Sequence, residues 1–201
     1  MNEIFIKTLY ILQGGKASII MADINIENIV ASTQIAKELD ISRLAEGIPD
    51  SKYNPEEFPG LILHFKIPKT AVLLFSSGKV ICTGAKNMDE IKDTMHRITT
   101  KIKGFGISVK KKPEMKTQNI VASSDLKKEF QLAAIAESLL SENVEYEPEQ
   151  FPGLVYRMDE LGVVLLLFSS GKLVCTGAKK MGDVTTAIDT MKDKLSSIGV
   201  L

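Results

Sequence analysis

What this 201-residue chain lacks narrows its function first. It has no charge excess: 25 Lys and Arg balance 25 Asp and Glu. That argues against a strong non-specific polyanion binder, whose affinity comes from neutralising phosphates. Cysteine and histidine are scarce, two of each (Cys82, Cys175, His64, His96), and no cluster has the spacing of a zinc site. No metal and no cofactor is expected, and the cysteines are expected buried and reduced in an intracellular protein. No apolar run is long enough to span a membrane, so no membrane partner is expected. No catalytic constellation is present either. Ser76-Ser77-Gly78-Lys79 looks like the tail of a phosphate-binding loop, but the leading glycine is missing and the motif joins two strands rather than a strand and a helix. An enzyme is therefore not expected.

Residues 1–20 differ from the rest. Ile4, Phe5, Ile6, Leu9, Tyr10, Ile11 and Leu12 form a short apolar stretch closed by Gly14-Gly15, without the basic start or cleavage site of a secretory signal. The expectation is a dispensable arm or a mis-assigned start, with Met21 the functional one; the rival is an added strand or hairpin.

What the chain does have is one unit written twice. Residues 53–88 align with 146–181 at an offset of 93, and 20 of the 36 positions are identical. Tyr53 to Leu61 repeats as Tyr146 to Leu154, Leu73 to Lys79 as Leu166 to Lys172, and Cys82 to Lys86 as Cys175 to Lys179. Upstream, Asn28-Ile-Val-Ala-Ser32 matches Asn119-Ile-Val-Ala-Ser123 at an offset of 91. Two repeats are too few for a solenoid and suggest two pseudo-symmetric half-domains sharing one sheet. The chain divides into an arm at 1–20, a first repeat at 21–112 and a second at 113–201.

Each unit reads as strand, short helix, antiparallel strands, long helix. Residues 22–32 alternate as a strand, 38–46 form a short helix before Gly47 and Pro49, and 60–66, 70–76 and 78–84 are strands. Ser77-Gly78 and Ser170-Gly171 mark tight hairpin turns. Met88, Ile91, Met95, Ile98 and Ile102 share one face of a long helix, with Asn87 as N-cap and Glu90 as the capping-box acid. Met181, Val184, Ile188, Met191, Leu195 and Ile198 repeat that stripe. Helices then cover one sheet face only. With Val72, Leu74, Val80 and Cys82 turned to the helices, Leu73, Phe75, Ile81 and Thr83 turn away, as do Leu166, Phe168, Val174 and Thr176. A broad uncovered apolar surface marks a partner site. The rival arrangement is two sheets closed face to face as a sandwich.

At the paired Asn-Ile-Val-Ala, Phe-Pro-Gly-Leu and Phe-Ser-Ser-Gly-Lys…Thr-Gly-Ala-Lys segments the sequence resembles the TATA-binding protein family, over roughly residues 22–199. Having no long extension before the core, it looks like the archaeal branch. The resemblance implies an α+β fold in which both repeats share one curved antiparallel sheet, a saddle, with helices on the convex face. It implies a general initiation factor that binds and bends A·T-rich TATA-box promoter DNA through the minor groove and recruits transcription factor B and, indirectly, RNA polymerase. The kinking residues it implies are Phe58, Phe75, Phe151 and Phe168. Minor-groove contacts fall on Asn28, Val30, Leu73, Ile81, Thr83, Asn119, Val121, Leu166, Val174 and Thr176. Phosphate contacts fall on Lys79, Lys86, Arg157, Lys172 and Lys179, although His64 stands where the second repeat has Arg157, and Asp159 and Glu160 follow that arginine. Residues 142–149 are acidic, and in the loop beside the second Phe-Pro-Gly the resemblance places transcription factor B contacts at Glu147, Glu149 and Gln150. The basic run Lys110-Lys111-Lys112 is as well read as a linker beside the DNA flank as a specific contact. The resemblance implies a monomer on DNA, with self-association through the saddle open to the free protein, and a cytoplasmic, nucleoid-associated location (nuclear if eukaryotic). The alternative is an interaction module that keeps the fold and binds DNA weakly or not at all.

Overall fold

The computed structural model describes residues 24–139 and 143–201. The reading of residues 1–20 lies outside this range. In chain order the elements are β1 (Asn25–Gln34), α1 (Ile41–Gly47), β2 (Lys52–Asn54), β3 (Phe58–Phe65), β4 (Thr70–Leu74), β5 (Lys79–Ala85) and α2 (Met88–Gly104), then β6 (Lys116–Asp125), α3 (Leu132–Leu139), β7 (Val144–Glu145), β8 (Gly153–Met158), β9 (Val163–Phe168), β10 (Lys172–Ala178) and α4 (Met181–Ser197). Among the described residues all ten strands join one sheet, in the order β2-β3-β4-β5-β1-β6-β10-β9-β8-β7. Every recorded pairing is antiparallel.

The sandwich is excluded, because the order is a palindrome of the two repeats about the β1–β6 pair. Equivalent residues meet there: Ile29 opposes Ile120, while Asn28 opposes Val121 and Val30 opposes Asn119. A pseudo-two-fold axis therefore passes between the two isoleucines. Each of these strands carries a bulge, at Glu27 and at Gln118, and the bulges are themselves repeat-related. A bulge adds one unpaired residue and sharpens the local twist.

Strand alternation sorts the faces as expected. Val72, Leu74, Val80 and Cys82 are fully buried, and they share a core with Ile91, Met95, Ile98 and Ile102 of α2. In the second repeat Leu165, Leu167, Leu173 and Cys175 pack with Val184, Ile188, Met191 and Leu195 of α4. The cores are separate, and Ile26 touches both. Burial pushes both thiols up to about 11, so neither is a nucleophile at neutral pH.

The helix starts differ between repeats. Asn87 Oδ1 accepts from Glu90 N–H at 2.9 Å, and the Glu90 carboxylate reaches back to Lys86 N–H at 2.8 Å. At α4 the N-cap position holds Lys180, whose side chain makes no cap bond. The first short helix begins three residues later than expected, because Asp40 Oδ1 accepts from Arg43 N–H at 3.0 Å and caps it. The edge strands β2 and β7 are not anticipated by the sequence pattern; they are three and two residues long. No described helix is long and apolar enough to cross a membrane.

Candidate nucleic-acid interface

The sheet face opposite the helices is open. Leu73, Ile81, Leu166, Val174, Val30 and Val121 lie half-buried on it, and the register places Leu73 beside Ile81 and Leu166 beside Val174. The apolar strip runs one strand further, into β3 and β8. Ile62 pairs with Leu73 and Val155 with Leu166, both half-buried on the same face. The same alternation, carried into β3 and β8, points to them.

The four phenylalanines gather in two repeat-related pairs. Phe58 and Phe75 lie edge to face at 5.8 Å between centroids and 68°, and Phe151 and Phe168 at 5.8 Å and 64°. Phe151 is 36% exposed, one of three large apolar side chains that stand out in this way among the described residues. The pairs depend on two glycines whose role no local sequence pattern reveals. A Cβ on Gly60 would lie 2.6 Å from Phe58 Cε1 and 3.1 Å from Phe75 Cε1; on Gly153 the matching distances are 2.7 Å from Phe151 and 3.2 Å from Phe168. The third residue of each Phe-Pro-Gly is thus the floor of an aromatic pair. The turn glycines Gly78 and Gly171 have φ of +78° and +87°, and a Cβ there would strike the carbonyls of Ala36 and Lys128.

Polar groups flank the pseudo-dyad in matching sets. Asn28 Oδ1 accepts from Gly84 N–H, and Asn119 Oδ1 from Gly177 N–H, both at 2.7 Å. A backbone N–H can only donate, so these bonds fix which end of each amide is oxygen. The Nδ2 groups then approach Thr83 Oγ1 at 3.2 Å and Thr176 Oγ1 at 3.3 Å. One amide proton of each asparagine remains for a partner. Thr83 Oγ1 can in turn donate to Asn28 Oδ1 at 3.3 Å, so the asparagine amides supply the donors, beside two hydroxyls, at the middle of an otherwise apolar face.

The expected phosphate contacts are all exposed, but two are already engaged. Arg157 forms a two-pronged pair with Glu145, each contact 3.2 Å. This hydrogen bonding holds the Glu145 carboxyl below the usual carboxylate range and raises the guanidinium. Its partner is thus Glu145 on the neighbouring strand, rather than the Asp159 and Glu160 that follow it in sequence; Asp159 adds a smaller charge effect. Lys86 Nζ lies 3.1 Å from Glu27 Oε2. Glu27 also accepts from Ser123 Oγ at 2.7 Å, the larger cause of its lowered pKa. Beside it a recess of about 490 Å³ is lined by Glu27, Asn28, His64, Lys66, Lys69 and Thr83. Glu147, Glu149 and Gln150 lie in an exposed turn in which Glu147 O accepts from the N–H of Gln150 and of Phe151, both at 2.9 Å, and Gln150 Nε2 donates to the Glu147 carboxylate. That turn leads directly into Phe151. No group of three or more metal-ligating side chains occurs among the described residues.

Comparison with known proteins agrees with this geometry. The family model "Transcription factor TFIID (or TATA-binding protein, TBP)" matches residues 23–105 and 114–198. A TATA-box-binding protein of Thermoplasma volcanium is 55% identical over 178 residues, covering 89% of this chain and 97% of that protein. The corresponding protein of Archaeoglobus fulgidus is 49% identical over the same shares. The solved Methanococcus jannaschii TBP superposes with a TM-score of 0.81 at 45% identity, covering 87% of this chain and 98% of that one. With the saddle fold, both repeats and the family model all matching, the chain belongs to the TATA-binding protein family, whose members are transcription factors and not enzymes.

Proposed function

We propose that this protein is a general transcription initiation factor that binds A·T-rich promoter DNA in the minor groove, bends it, and presents the bent complex to transcription factor B and, through it, to RNA polymerase. The observation that carries the reading is the pair of edge-to-face phenylalanines at each end of an open apolar face with donors at its centre. TATA-binding proteins are themselves a standard example of minor-groove binders that kink DNA with apolar wedges.

The energetics favour such a division of labour. Unstacking a base step costs a few kcal/mol. Burying one Phe side chain returns about 1.5–3 kcal/mol, so two wedges at one step come near to balance. The remaining bending cost falls to the apolar strip of Val30, Leu73, Ile81, Val121, Leu166 and Val174, joined by Ile62 and Val155. Specificity comes from the centre. A·T pairs show only acceptors in the minor groove, and G·C adds the guanine amino donor. The amide and hydroxyl donors of Asn28, Thr83, Asn119 and Thr176 meet acceptors at A·T and are opposed by a donor at G·C. Lys79, Lys86, Lys172, Lys179 and Arg157 line the path of the backbone, with Lys86 and Arg157 shared between it and their acidic partners. Glu147, Glu149 and Gln150 form the face offered to transcription factor B.

A gel shift with a TATA-containing duplex, with and without transcription factor B, tests the reading. Binding that transcription factor B strengthens is expected; no binding at micromolar protein in low salt would leave only the interaction-module alternative. Phe151→Ala with Phe168→Ala should abolish the second kink as seen by energy transfer between dyes at the duplex ends.

A further inference from the structure

The two flanks of the open face, exchanged by the pseudo-dyad, are built unequally. On the first flank Ser32 of β1 is the register partner of Lys116, and Gln34 of Lys79. On the second flank the same places hold Ser123 beside Asn25, and Asp125 beside Lys172. The bulge residues differ in the same sense. Gln118 Nε2 donates to Ser32 Oγ at 2.9 Å on the first flank, whereas on the second the Glu27 carboxylate accepts from Ser123 and holds Lys86. The connector between repeats adds to the difference. Lys110 N–H donates to Ile35 O at 2.7 Å, and Thr33 Oγ1 to Glu114 O at 2.6 Å, so this segment is fastened along the end of β1. Lys79, Lys110 and Lys116 consequently line one recess of about 260 Å³ with Ser32, Gln34 and Glu114. Among the described residues no ion pair engages any of these three lysines.

We propose that Lys79, Lys110 and Lys116 form a phosphate-binding site for one backbone of the duplex, and that the opposite flank, where Glu27 and Asp125 offset Lys86 and Lys172, holds the other backbone weakly. The inference rests on the DNA-binding reading above. It gives Lys110 and Lys116 a role in DNA binding, and it makes the grip on the two strands unequal although the wedges and groove donors are nearly symmetric. Three lysines lining one recess suit the two non-bridging oxygens of a phosphodiester.

Affinity for a TATA duplex measured by anisotropy across salt concentrations tests this. Each phosphate neutralised contributes about 0.9 to the slope of log K against log salt. Lys110→Gln with Lys116→Gln should together lower the slope by about one unit, the loss of one neutralised phosphate, and Lys86→Gln should change it far less. Both lysines are exposed, and an unchanged far-ultraviolet spectrum will show the fold intact. A double variant with the wild-type slope, or an equal loss in Lys86→Gln, overturns the unequal grip. Failure of the wild type to bind the duplex overturns the DNA-binding reading instead. In a second arm, the phosphates of one strand of a self-complementary core are replaced by methylphosphonates. The protein should then turn its lysine flank to the charged strand, as read by a cleavage reagent tethered to one repeat. Equal cleavage from both ends overturns the proposal.

Discussion

A single methyl group at Gly60 or Gly153 is expected to disarm one end of the interface. The Cβ of Gly60→Ala falls 2.6 Å from Phe58 Cε1, 3.1 Å from Phe75 Cε1 and 3.3 Å from the Leu74 carbonyl oxygen. The carbonyl belongs to β4 and is fixed, so the rings must yield. Ordinary contact begins near 3.4 Å, which requires Phe58 to retreat by about 0.8 Å. Overpacking a core costs about 1–3 kcal/mol. Phe58 is half-exposed and can swing outward, so the stability cost falls at the low end, about 1 kcal/mol. DNA binding suffers more. A wedge moved out of line forfeits most of its roughly 1.5–3 kcal/mol of apolar burial. At 1.4 kcal/mol per tenfold, affinity should drop about 10- to 100-fold. Energy transfer between dyes at the duplex ends should show a partial bend for Gly60→Ala and Gly153→Ala singly. The double variant should approach straight DNA, since the two sites lie in different repeats and share no contacts. Urea denaturation monitors the fold in parallel. Full bending with wild-type affinity in both single variants would refute the argument that glycine at these positions sets the wedge geometry.

Further outcomes follow from the charged and sulfur groups. His64→Arg, which copies the second repeat, should raise affinity and steepen the salt slope by about one unit, read by anisotropy; an unchanged slope would place His64 away from the backbone. Glu145 and Glu27 have lowered pKa values, so their pairs with Arg157 and Lys86 stabilise the free protein above the usual glutamate range of about 4.3 and are lost as pH falls through the depressed values. Over that acid window free-protein stability should fall slightly while DNA affinity rises as the cations are released; Glu145→Gln with Glu27→Gln should remove both trends in pH-resolved melts and binding curves. With thiols raised to about 11, Cys82 and Cys175 should react with a disulfide reagent at pH 8 many times more slowly in the native protein than in denaturant; rapid native labelling would contradict their burial.

The sequence made the repeat and the open face legible because both rest on local periodicity. Alternation in β4, β5, β9 and β10 assigns side chains to their faces as far as Thr83 and Thr176, beyond which a register shift turns Ala85 and Ala178 into the cores, and identical hairpins announce the duplication. What it left out depends on partners distant in sequence. Ser123 and Glu27 are 96 residues apart, and the bulge that brings them together leaves no local mark. The Glu145 clamp on Arg157 arises because β7, two residues long, pairs with β8, and so short an edge strand carries no pattern of its own. Gly60 and Gly153 were visible as repeated letters, but their reason lies in the positions of two rings. The absent cap at α4 was readable in principle, as Lys180 in place of Asn87.

The β1–β6 ladder bears on how such a chain can arise. Pairing of equivalent residues across a two-fold axis is the contact made by two identical subunits in an isologous dimer. Each repeat already has its own core, and Ile26 alone among the described apolar residues packs on both. A half-length chain can therefore close the same ten-stranded sheet by meeting a second copy of itself through β1. Joining the two copies in one gene removes the requirement that both halves stay identical. The lysines of one flank and the acids of the other are differences that a homodimer, bound to change both sides at once, has no means to acquire.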